Sequence, residues 1–122
     1  MAKNDYDYIV FRILLYLYAC LKRQSSYDKR VLMQKIATDA VPEEYFLDVL
    51  RMMQQEGLVS GVTFVRAWGR EYILADGLDS LSITAEGIHY LKDNGRMQVI
   101  REAVLKEAPG AIMELVKLAL MA

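Results

Sequence analysis

Few side chains in this sequence could do covalent chemistry, and their spacing limits what they could do. His89 is the single histidine and Cys20 the single cysteine of 122 residues, so a Ser-His-Asp or Cys-His arrangement has one candidate base. His89 stands between Ile88 and Tyr90 on a predicted helix and reads as a surface or boundary residue. Cys20 lies in an apolar segment with no histidine beside it and reads as a small buried hydrophobe. One cysteine and one histidine cannot build a disulfide framework or a zinc site made of those residues. The seven glycines are scattered and form neither GxGxxG nor GxxxxGKS/T, so no phosphate-cradling loop is expected. The expectation is a protein that is not an enzyme and carries no cofactor or metal.

A second kind of chemistry is better represented. Lys29, Arg30 and Lys35 lie at the start of a predicted second helix, and with Lys22 and Arg23 they oppose Asp28 alone. Arg66 and Arg70 flank a predicted hairpin tip, while Arg51, Gln54 and Gln55 fall near the end of a predicted third helix, where they can point outward. Lys and Arg contact DNA phosphates, and Arg and Gln also read base edges. Acids argue the other way. Residues 39–56 hold Asp39, Glu43, Glu44, Asp48 and Glu56 against Arg51 alone, which disfavours insertion of that helix into a polyanion. The chain as a whole has 15 Lys+Arg, 16 Asp+Glu and a net charge of −1, without the basicity of a non-specific nucleic-acid binder.

The positions of these residues depend on the elements that carry them. Apolar spacing predicts a first helix from Tyr6 to Arg23 and a short second one from Lys29 to Thr38. A third starts with Pro42 at its first position and stops at Gly57. Leu58 to Arg66 and Glu71 to Ala75 read as strands around the turn residues 67–70, and Leu81-Ser82-Ile83 as a further short strand. Thr84 caps a helix to about Asp93, which Asn94-Gly95 ends. Two more helices follow, Arg96 to Ala108 and Ala111 to Met121, separated by Pro109-Gly110. This order is that of an α+β, mainly helical, winged helix-turn-helix domain. It has a long N-terminal helix and additional C-terminal helices. The expected division is a domain over residues 1–95 and a helical extension over 96–122 packed on it as one compact unit.

Glu56-Gly57-Leu58-Val59, followed by the run from Leu81 through Thr84, Gly87 and Tyr90 to Leu91, resembles the L-T-x-x-G-x-x-Y-L close of many winged-helix proteins. With Lys92-Asp93-Asn94-Gly95 the sequence is similar to the YjcQ-like family of small bacterial and prophage proteins, over roughly residues 8 to 105. The resemblance implies a fold and brings no activity with it.

From Tyr8 to Leu21 every residue except Arg12 is apolar or Tyr, a run shorter than the roughly 20 residues a membrane span needs. Asp5 and Asp7 spoil it as a signal peptide, and Tyr18 spoils Leu17-Tyr18-Ala19-Cys20 as a lipoprotein box. A cytoplasmic protein without membrane contact is expected. A first helix apolar on both sides must be covered twice, by its own chain or by a second copy. The expected solution is a homodimer through Tyr8, Phe11, Leu15, Tyr18, Ile112, Leu115, Val116 and Ala119. Two functional readings follow. In the preferred one the chain is a DNA-binding, regulator-like protein using Lys29, Arg30, Lys35, Arg51, Gln55, Arg66 and Arg70. In the alternative it is a protein-interaction module whose acidic third helix docks on a basic partner.

Overall fold

The computed structural model describes residues 5–36, 41–67, 69–73, 77–107 and 110–121; of Lys35, Ala67, residues 70–73 and Ala111 it describes the backbone alone. Its elements are α1 (Tyr6–Leu21), α2 (Lys29–Val31) running into a π turn (Leu32–Ile36), α3 (Glu43–Gln55), β1 (Val59–Ser60), β2 (Phe64–Ala67), β3 (Arg70–Ile73), β4 (Ser82–Ile83), α4 (Ala85–Asp93), α5 (Gly95–Leu105) and α6 (Ala111–Leu120). The fold is α+β and mainly helical. Among the described residues no helix is long and apolar enough to cross a membrane.

Helix α1 is the axis of the molecule. Residues 8–17 are all buried, because α3, α4, α5, α6, the π turn and β4 pack around it. The residues expected at a dimer surface fall within or beside this packing. Tyr8, Phe11, Leu15, Val116 and Ala119 are buried inside the single chain, and Tyr18, Ile112 and Leu115 are partly buried against the same core. The physical reason is that α6 lies against α1 and α5 and covers the second apolar face in cis. Each large side chain so buried contributes about 1.5–3 kcal/mol of apolar transfer, which a solvent-facing α1 would forfeit.

Helix α1 ends in a Schellman turn. Arg23 takes φ 64°, its N–H donates to Cys20 O at 3.1 Å, and Gln24 N donates to Ala19 O at 3.0 Å. Lys22, the capping residue, donates through Nζ to Ala119 O at 2.9 Å, so its charge sits on the carbonyl end of α6. Arg12, the one charge in the apolar run, is buried. It donates through Nε to Ile36 O at 2.6 Å, while Nη1 reaches Tyr8 Oη at 3.3 Å.

Helix α3 starts at Glu43, with Pro42 as its N-cap residue and not its first helical residue. Its end follows the expected pattern: Gly57 has φ +80°, Gly57 N donates to Gln54 O and Leu58 N to Met53 O. The predicted strand over residues 58–66 is divided into β1 and β2. At Gly61 the backbone turns through φ +93°, so close to Ser80 that a Cβ would overlap the Ser80 carbonyl. Strand β1 therefore pairs with β4 (Val59 opposite Ile83), and β2 pairs separately with β3 (Phe64 opposite Ile73, Arg66 opposite Glu71).

Thr84 locks the end of α3 to the start of α4. Its hydroxyl donates to Gly57 O at 2.5 Å and accepts from Gly87 N at 3.0 Å, and its N–H donates to Leu58 O at 3.1 Å. Gly87 allows that closeness, because a Cβ there would stand 2.2 Å from Leu58 O. Asn94 ends α4 and caps α5 through its side chain, so α5 begins at Gly95, one residue earlier than expected.

Candidate nucleic-acid interface

The last two turns of α3 and the first residues of β2 form the walls of an open cleft of about 400 Å³. It is lined by Arg51, Gln54, Gln55, Phe64 and Arg66. Helical spacing explains the α3 side: Phe46, Val49, Leu50 and Met53 are buried, which leaves Arg51, Gln54 and Gln55 toward the opposite, wetter face. On β2, Phe64 is half-buried against the core while Arg66 is exposed, and both border the cleft.

Three of the residues expected to meet DNA, Arg51, Gln55 and Arg66, are thus brought together. Lys29 and Arg30 are on α2 instead, and each holds an acid. Lys29 Nζ is 3.0 Å from Asp79 Oδ1, and Arg30 folds back on Asp28, with Nη2 3.4 Å from Oδ2. Asp28 also accepts the Arg30 N–H at 2.8 Å as the N-cap of α2, and this backbone bond, with the Arg30 side chain, holds its carboxyl below the ordinary carboxylate range. The side chains of Lys35 and Arg70 lie outside the described residues. Of the outward-facing α3 residues, Gln54 differs from expectation: its amide is turned onto the backbone of Val62, at 2.6 Å and 3.0 Å.

The cleft and the acids lie toward different ends of α3. Glu43, Glu44 and Asp48 are exposed on its first half, while Arg51 and Gln55 occupy its second. Asp48 Oδ1 approaches Arg51 Nη2 at 3.9 Å across one turn. Exposed pairs of this kind contribute about 0.2–1 kcal/mol, so a phosphate can compete for the guanidinium. Of these basic residues Arg51 meets an acid of α3, whereas Lys29 and Arg30 find theirs at Asp79 and Asp28.

Phe64 and Arg12 carry roles that the sequence reading passed over. A charge midway along an apolar helix signals a buried partner, which for Arg12 is the carbonyl closing the π turn. The two reactive side chains are apart from the cleft. His89 is exposed on α4, and Cys20 is partly buried, with burial pushing its thiol above the ordinary value. Among the described residues no group of three His, Cys, Asp or Glu could hold a metal.

These features define a mainly helical α+β domain built on one central helix, with a separate hairpin beside α3. A family model described as YjcQ protein matches residues 11–108, and the chain belongs to that family. Comparison with curated proteins and with solved structures gives no match.

Proposed function

We propose that this chain is a non-catalytic winged-helix protein that binds DNA in the manner of a transcriptional regulator. In this reading α2, the π turn and α3 are the helix-turn-helix, and the β2–β3 hairpin is the wing. The observation that carries it is the cleft, lined by two guanidinium-bearing residues, two glutamines and an aromatic ring. Arg51 and Arg66 face a sugar-phosphate strand from two sides, and Gln55 is left to reach a base edge. The acidic first half of α3 shifts docking toward the helix's C-terminal half and the hairpin, away from the N-terminal turn that such proteins commonly use. Lys29 and Arg30 add exposed charge on α2, each tied, among the described residues, by a surface pair.

Titration of a random fluorescent duplex across a salt series tests the reading. Each phosphate contact contributes about 0.9 to the log–log slope. A slope near −3 or steeper that falls when Arg51 and Arg66 are reversed to Glu supports it; no binding at low salt removes it. Light scattering on the same samples reads the oligomeric state. Of the eight residues expected at a dimer surface, Tyr18, Ile112 and Leu115 keep exposed area for one.

The exposed Glu43, Glu44 and Asp48 favour a second reading, docking of α3 on a basic protein. Reversal of Glu43 and Glu44 abolishes capture in that case, while reversal of Arg51 and Arg66 does not.

A further inference from the structure

We infer that Gln54 is a positioning residue that sets the β2–β3 hairpin, and with it Arg66, against α3. The inference rests on the DNA-binding reading for its consequence, and on geometry alone for the positioning itself. Gln54 Nε2 donates to Val62 O at 2.6 Å, and Oε1 accepts from Val62 N at 3.0 Å. One side-chain amide thus satisfies both backbone groups of one residue, the pairing that a neighbouring strand would otherwise supply.

The place of this bond in the chain gives it leverage. Val62 lies in residues 61–63, which join β1, paired with β4, to the hairpin. At one end of that joint Gly61 is wedged against the Ser80 carbonyl. Among the described elements, the strands of the hairpin pack extensively on each other alone. Phe64, half-buried against the core, and the Gln54–Val62 pair are therefore the hairpin's described anchors. Because both polar ends of Gln54 are engaged, it serves the cleft by holding it open at a fixed width and not by reading a base.

The test uses the full chain as Gln54→Ala, Gln54→Glu, Arg66→Ala and the Gln54→Ala/Arg66→Ala pair. Gln54→Glu keeps the volume and replaces the donor facing Val62 O by a carboxylate oxygen. In the free protein, backbone order parameters across residues 64–67 and 69–73 should fall from about 0.85 toward 0.6 in both Gln54 variants, while α3 keeps its order. A hairpin as ordered as in the parent overturns the inference, whatever DNA does. With duplex DNA, Arg66→Ala should flatten the salt slope by about 0.9. Gln54→Ala should flatten it equally without removing a charge, and the pair should bind no worse than either single variant. Additive losses in the pair overturn the inference while leaving the DNA reading in place. An Arg66→Ala variant that binds like the parent removes the DNA reading, and the positioning then stands or falls on the order parameters.

Discussion

Replacing Gly87 with alanine should unfold the junction between α3 and α4 out of proportion to one added methyl. The Cβ would stand 2.2 Å from Leu58 O and 2.8 Å from Ile83 Cγ1, the first of these a backbone atom that cannot rotate away. Ordinary contact needs roughly another ångström, so the first turn of α4 must retreat by that much. The bond from Thr84 N to Leu58 O, now 3.1 Å, is then stretched beyond use, and the one from the Thr84 hydroxyl to Gly57 O is strained with it. Overpacking costs about 1–3 kcal/mol and each lost hydrogen bond about 1 kcal/mol. Alanine's better helix propensity returns about 1 kcal/mol. The net loss is about 2–4 kcal/mol, or a fall in Tm of some 8–16 °C at about 4 °C per kcal/mol. Urea unfolding followed by circular dichroism measures it. Gly95→Ala is the control, since nothing lies within 4 Å of a Cβ at this helical glycine and it should leave stability unchanged or raise it by up to about 1 kcal/mol. Equal midpoints for the two variants would refute the reasoning.

Three further outcomes follow from the same packing. Arg12→Met keeps the apolar stem but strands the Ile36 carbonyl, and should cost about 1–3 kcal/mol in urea unfolding and speed amide exchange through the π turn. Arg23→Gly relieves a left-handed residue in the Schellman turn and should raise stability by about 0.5–1 kcal/mol in the same assay; a loss would contradict the turn described. Asp28 is held below the ordinary carboxylate range in the folded chain, so its contribution is complete above that range and is lost as pH falls through the lowered value. Stability measured against pH should therefore show Asp28→Asn less stable than the parent at neutral pH, with the gap closing in acid.

Much of the architecture was legible because local physics decided it. The all-round apolarity of α1 required a helix covered on two sides, Gly57 supplied a left-handed stop for α3, and Thr84 a cap for α4. What local pattern could not supply was the partner across the chain. Residues 58–66 are rich in β-branched and aromatic side chains, as one strand would be, and only the approach of Ser80, 19 positions after Gly61, shows why it breaks there. The apolar face of α6 fits a second copy as well as it fits α1 until the two are seen side by side. The residue types at the cleft were visible, but not that Gln54 would be spent on Val62. Lys29 and Asp79 are 50 positions apart, so no helical spacing could pair them. The family motif has a physical role in the fold: Thr84 and Gly87 tie the end of α3 to the start of α4, and Leu91 is buried in the core.

The most direct test of the central claim is amide chemical-shift mapping of the labelled chain titrated with a short duplex at low salt. Shifts should concentrate at Arg51, Gln55, Phe64 and Arg66, with Glu43 and Glu44 unmoved, and disappear as salt is raised. Shifts confined to the acidic half of α3 or spread over other surfaces, or none at all, would contradict that claim.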